Sequence, residues 1–300
     1  MDPAIMCQCF FGLITAGSIA AVLIEPVKKS MADYGSRAEP ADPSIDETPQ
    51  KGIPALLQYV ASYQVPHSWF VHYYFASVAS SLFWGWQILV HGIAFRVLAS
   101  YSHGSTSGGM SVNQVFLTWF FMTVQGARRL YEDITLSKPS QSKMWIGLWL
   151  LGIAYYLAVG ISVWVEGIPA LDVPETPLQL LRFSKASMKT SLAIGLFAIG
   201  SGIQHECHVH LAGLKKYTLP QHRFFKKIVC PHYTSECLIY IALAIMAAPK
   251  GQYLNKTMVS GLIFVIANLA ATADSSRKWY IKKFGAENLQ ERWRMVPYVW

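Results

Sequence analysis

Charge is what this chain has least of. Only 14% of its 300 residues are Asp, Glu, Lys or Arg, while 53% are hydrophobic. Soluble domains carry about 25% charged residues. With 10 Trp and 15 Tyr, that shortage argues against a soluble domain and for an integral membrane protein. The five cysteines (Cys7, Cys9, Cys207, Cys230 and Cys237) form no CxxC pair, which speaks for free thiols over a disulfide framework. There is no histidine doublet and no HExxH, so the paired-histidine boxes of a di-iron oxygenase or desaturase are missing. No Gly-rich phosphate loop follows a strand, no GxSxG nucleophile elbow is present, and no internal repeat is visible. The net charge of +8 does not call for nucleic acid, because the basic residues sit mostly in loops between apolar runs.

What is present is a series of such runs. They predict an all-α integral membrane protein of about seven transmembrane helices, near 4–24, 72–94, 112–125, 144–165, 191–204, 237–248 and 257–273. The first run has no basic flank before it and reads as an uncleaved anchor. Residues 25–51, rich in Pro, Ser and charge, read as a flexible loop. The last three runs fall short of the ~20 residues that a lipid-exposed span needs. Those helices are therefore expected to continue into polar turns enclosed by protein. The loop between Leu98 and Val112 has no charge, whereas Arg128, Arg129, Lys138 and Lys143, then Lys215 to Lys227, then the tail from Lys282 to Arg294, carry the basic residues. The positive-inside rule makes these basic segments and the C-terminus cytosolic. On this topology the sequon Asn255-Lys256-Thr257 is luminal, close to the membrane and poorly glycosylated.

Ionisable residues beside apolar runs mark candidate sites. If the fifth helix continues past Gln204, then Gln204, His208, Leu211 and Lys215 form one stripe, with Lys216 and Tyr217 at its exit. Such a row can grip amides, ribose hydroxyls and phosphates. On composition alone it reads equally well as a snorkelling helix end. His205 and His208 could share a face, but no further ligand set accompanies them, so no metal is expected. Glu236, after Cys230-Pro231-His232-Tyr233, is either a charge at a helix N-terminus or a group that orients a cofactor amide. Gln125, Arg128, Arg129, Tyr131 and Glu132 form a polar knot whose plainer reading is a basic flank. In the last helix Asn268, Thr272, Ser275 and Trp279 share a face, and Asp274, Arg277 and Lys278 can pair locally.

These segments resemble the steroid 5α-reductase family, most closely its polyprenol (polyprenal) reductase branch. The resemblance rests on Gln204-His205-Glu206-Cys207-His208, Leu211 to Lys216, Tyr217-Thr218-Leu219-Pro220, Phe224-Phe225, Pro231-His232-Tyr233, Glu236, Asn268 and Trp279-Tyr280 through Phe284. Val65 to Phe70, His72-Tyr73-Tyr74 and Arg128 to Glu132 support it. It implies a single membrane reductase domain over 1–300 that encloses NADPH in its C-terminal part, 190–300. Gln204, His208, Lys215, Tyr217, His232, Glu236 and Tyr280 would then line the cofactor, with Lys216 and Asn268 beside them. His208 stands where the steroid enzymes have aspartate, Lys215 where they have arginine, and His232 where they have asparagine. Their carbonyl-binding tyrosine aligns with Gly126, and the polyprenol branch often has histidine at the position of Arg277. Tyr73, Gln125, Arg129, Tyr131 and Glu132 are the candidates for the substrate end.

The resemblance thus implies a multi-pass endoplasmic reticulum enzyme that uses NADPH to saturate the α-isoprene unit of a polyprenyl lipid for dolichol synthesis and N-glycosylation. Its partners would be that lipid substrate and the membrane, with neither metal nor nucleic acid. The alternatives are a related reductase of steroids or enoyl thioesters, an isoprenylcysteine methyltransferase-like protein, or a lipid-binding or transport protein without catalysis.

Overall fold

The computed structural model describes residues 1–24, 59–102, 109–182, 185–215 and 218–300. The loop expected over 25–51 lies outside the described residues. Eight longer helices organise the rest: α1 (Pro3–Leu23), α2 (Val71–Leu89), α3 (Ile93–Tyr101), α4 (Val112–Leu136), α5 (Ile146–Ser162), α6 (Met188–Gly213), α7 (Pro231–Met246) and α8 (Lys256–Phe284). The apolar runs of the sequence fall on these helices, the run over 72–94 on both α2 and α3. Among the described residues, α1, the stretch Ile146–Leu171 and α8 are long and apolar enough to cross a membrane. Together, α2 and α3 form a fourth such element, bent by 81°.

Local chemistry sets the helix starts. Asp2 accepts from Ala4 N at 2.8 Å with Pro3 in the first turn, and Ser111 and Gln114 close a capping box on α4. The single helix expected over 72–94 breaks instead at residues 90–92. His91 takes a φ of 46°, and the Gln87 side chain accepts from Ala94 N at 3.0 Å, which caps the start of α3. The helices α6 and α8 run well beyond their apolar runs, as the short-run argument requires. Ile239, Ala242, Leu243 and Ala244 of the 16-residue α7 are fully buried, so protein encloses much of this short helix. It packs closely on α6, where Gly200 leaves room for Ile239 and the Ser235 carbonyl.

Two small features were not expected from an all-α pattern. Gln64–Pro66 pairs antiparallel with Lys143–Trp145, Val65 opposite Met144, and this clip ties the start of α2 to the start of α5. Residues 293–295 lie along the entry to α7, with Val229 N on Trp293 O at 2.8 Å and Cys230 N on Arg294 O at 3.0 Å. Nearby, the exposed Lys227 bonds to Glu291 at 2.6 Å, which holds that carboxyl below its usual range. All five cysteines are free.

The sequon is locked into the fold. Asn255 is fully buried, accepts from Met258 N at 2.8 Å as the N-cap of α8, and donates to Ala247 O at 3.2 Å. The equally buried Thr257 donates to Glu166 Oε1 at 2.6 Å. Expression in glycosylating cells is therefore expected to give no glycan at Asn255. A glycosidase-sensitive mobility shift that disappears in Asn255→Gln would contradict this.

Candidate functional site

A cavity of about 1580 Å³ lies among the helices. The later turns of α1, α4 and α6, the early turns of α2, α5 and α7, and the middle and later turns of α8 line it, so successive long helices pass it in alternating directions. Part of its wall is polar: Arg129, Gln204, His208, Lys215, His232, Glu236 and Asn268. The remainder is aromatic and aliphatic, including Tyr73, Tyr74, Tyr155, Tyr156, Tyr240, Phe264 and Leu269.

One hydrogen-bonded network supports the polar wall. Glu236 Oε2 accepts from Gln204 Nε2 and, at 3.3 Å, from Gln125 Nε2. Arg128 donates to Gln125 Oε1 at 2.8 Å and to Gln204 Oε1. The Glu132 side chain, 1% exposed, meets Arg128 and His205 on one oxygen and Arg129 and His208 on the other. His208 Nδ1 is 2.7 Å from Glu132 and 2.8 Å from Arg129. With its hydrogen on Nδ1 it donates to the carboxylate, which leaves Nε2 as an acceptor. Arg129 also donates to Tyr74 Oη at 2.6 Å and lies over that ring at 4.7 Å. Two guanidinium groups thus share one carboxylate, that of Glu132. Buried charges are tolerated when they are paired and hydrogen-bonded.

The structure brings Tyr73, Arg129, Gln204, His208, Lys215, His232, Glu236, Asn268 and Tyr280 to the cavity wall. Gln125 and Glu132 are buried and act on that wall through Gln204, Glu236, Arg129 and His208. Tyr131 does not reach it: the residue is 63% exposed, because it lies ~200° around α4 from Arg129. Lys215 lines the cavity but is not on the expected helical stripe, since α6 stops at Gly213 and Leu214 is already extended. Lys216 and Tyr217 lie outside the described residues. The face of Asn268, Thr272, Ser275 and Trp279 lines the cavity. Asp274 pairs with Lys278 at 2.8 Å, while Arg277 reaches the carbonyls of Leu289 and Arg292.

Sequence reasoning passed over Tyr74, Tyr155, Tyr156 and Tyr240. A signal existed in Tyr155-Tyr156, a tyrosine pair deep in a charge-free span, away from the interfaces where tyrosines concentrate. Gly126 packs tightly on α2, where a Cβ would lie 2.7 Å from Ser77 Oγ.

The donor set fits a nicotinamide nucleotide, which offers an amide, ribose hydroxyls and phosphates. His232 supplies a direct indication: it lines the cavity, and its buried Nδ1 has no hydrogen-bond partner among the described residues. Gln204, His208 and Glu236 add donors and acceptors around it, and Lys215 adds an exposed cation. No group of three or more His, Cys, Asp or Glu residues able to hold a metal occurs among the described residues.

Helices long and apolar enough to cross a membrane pass this cavity, as in a multi-pass membrane protein. Residues 180–300 match the family described as 3-oxo-5-alpha-steroid 4-dehydrogenase, which marks the chain as an oxidoreductase. Reductases of this kind draw hydride from a nicotinamide cofactor. The chain is 25% identical over 289 residues to Polyprenal reductase 2 of Oryza sativa subsp. japonica, covering 80% of each. It is 26% identical over 258 residues to Polyprenal reductase of Homo sapiens, covering 78% of this chain and 77% of that one. It is 31% identical over 177 residues to Polyprenal reductase of Saccharomyces cerevisiae, covering 57% of this chain and 60% of that one.

Proposed function

We propose that this protein reduces the α-isoprene double bond of polyprenal with NADPH, in the endoplasmic reticulum membrane, giving dolichal for dolichol synthesis and N-glycosylation. The bundle would cross the membrane about seven times, with the cavity open to the cytosol. The observation that carries this reading is that the polar wall of Gln204, His208, His232 and Glu236 and the tyrosine-rich wall bound one cavity. A nucleotide and an apolar conjugated aldehyde can meet there.

When bound, reduced nicotinamide supplies hydride to the β-carbon of a polarised alkene. Gln204, Glu236 and His232 would orient its amide, while Lys215 would neutralise phosphate. Substrate chemistry favours the aldehyde. An allylic alcohol would leave an unstabilised carbanion, whereas a conjugated aldehyde places the charge on oxygen, where a donor is worth roughly 3–4 kcal/mol.

The test is to give purified protein either polyprenal or polyprenol, with NADPH or NADH and no other dehydrogenase. Polyprenal is expected to be reduced, NADPH to be preferred, and Lys215→Ala to narrow that preference. Turnover is expected to survive chelation. Reduction of polyprenol without an aldehyde intermediate would overturn the substrate assignment. Equal use of both cofactors would overturn the NADPH assignment.

A further inference from the structure

We propose that the Tyr74 hydroxyl is the hydrogen-bond donor to the substrate carbonyl, held in place by Arg129; this rests on the reading of the protein as an enal reductase. When hydride, with its two electrons, arrives at the β-carbon, a new C–H bond forms there. The alkene π pair becomes the bond between the α-carbon and the carbonyl carbon, and the carbonyl π pair moves onto oxygen. A proton from water then reaches the α-carbon, the carbonyl re-forms, and the cofactor leaves oxidised. Between those events the oxygen carries a full charge. A donor already fixed within hydrogen-bond reach costs no reorganisation at that moment.

Tyr74 meets these requirements. It is buried and lies on the cavity wall. Arg129 Nη2 donates to its oxygen at 2.6 Å, and the guanidinium also covers its ring. That bond occupies a phenol lone pair and draws electron density from the oxygen. The single phenolic hydrogen is left to be donated elsewhere. The neighbouring Tyr73 faces the same cavity, but its hydroxyl donates to Leu148 O at 3.2 Å and approaches Met144 Sδ at 3.7 Å.

The backbone explains why the hydroxyl is steady. Arg129 is anchored from behind by Glu132. Ser77 lies one turn beyond Tyr74 on α2, and Gly126 one turn before Arg129 on α4. The missing Cβ at Gly126 lets these helices approach to side-chain contact. Tyr74 and Arg129 are thereby held together. The edge of Tyr156, with ring centroids 5.9 Å apart, limits the other side of the Tyr74 ring.

Tyr74→Phe keeps the ring and its stacking on Arg129 while removing the donor. The expected result is a kcat for polyprenal lowered about 10²–10³-fold. The NADPH Kd, read by fluorescence titration, is expected to stay at the wild-type value. A second readout does not depend on turnover. In the wild type, the carbonyl band of a bound, carbon-13-labelled saturated aldehyde should lie below its value in hydrocarbon solvent, and in Tyr74→Phe it should return towards that value. Should the Phe variant fail to fold, 3-fluorotyrosine at position 74 retains the hydroxyl as a stronger donor and should move the band further down. An active wild type combined with unchanged kcat and an unmoved band in the variants would overturn the proposal alone. So would loss of the band shift in Tyr73→Phe with retention in Tyr74→Phe. A wild type that reduces no polyprenal would sink the underlying reading with it.

Discussion

Glu132→Leu is expected to be the most damaging single substitution in this protein. The Glu132 carboxylate is the point at which Arg128, Arg129, His205 and His208 meet. Removing one side of a buried ion pair costs about 3–5 kcal/mol, mostly because the remaining charge is left uncompensated. Here two guanidinium groups lose their shared acceptor. Arg129 would also lose the anchor that sets its geometry at the cavity wall, and a misplacement of about 1 Å can cost on the order of 10²-fold in rate. Glu132→Gln should be milder, since the amide oxygen still accepts. Thermal unfolding of the detergent-solubilised protein, alongside turnover, checks both. A leucine variant that melts with the wild type and keeps its activity would show that the cluster is dispensable.

Glu236→Gln should separate catalysis from stability. Glu236 is the sixth residue of α7, past its first turn, and its carboxylate accepts from the side chains of Gln204 and Gln125. A helix-end role, which would cost about 0.5–2 kcal/mol when lost, is therefore not what these contacts describe. A neutral amide weakens both charge-assisted bonds and places an N–H₂ where an acceptor had been. Turnover should fall on the order of 10²-fold through misoriented cofactor. The melting temperature should stay near that of the wild type. Normal turnover with a lowered melting temperature would return Glu236 to a structural role.

The positions of the helices were legible because apolar runs of these lengths have few other ways to satisfy their backbone beside lipid. The polar turns at the end of α6 were legible too. Gln204 and His208 are four residues apart, so any helix puts them on one face. What the chain did not reveal was partnership between helices. Nothing local tells Arg129 that Tyr74 is its acceptor, 55 residues away, or Gln125 that it will meet Glu236. Tyr131 illustrates the converse error, in which closeness along the chain stands in for closeness in space. The break at His91 and the clip at Val65 and Met144 depend on tertiary contacts that helical periodicity does not encode.

The contact between Ser77 and Gly126 also bears on how this protein can vary. A first side-chain carbon at position 126 would arrive 2.7 Å from the Ser77 hydroxyl, so the sites are not independent. A single replacement at 126 would require the Ser77 hydroxyl to turn away, so the obstacle lies on another helix. The two positions are expected to form an epistatic pair, in which a smaller residue at 77 eases the entry of a larger one at 126. The order of substitutions along a lineage, and not only their identity, would then decide whether a tyrosine could ever occupy position 126.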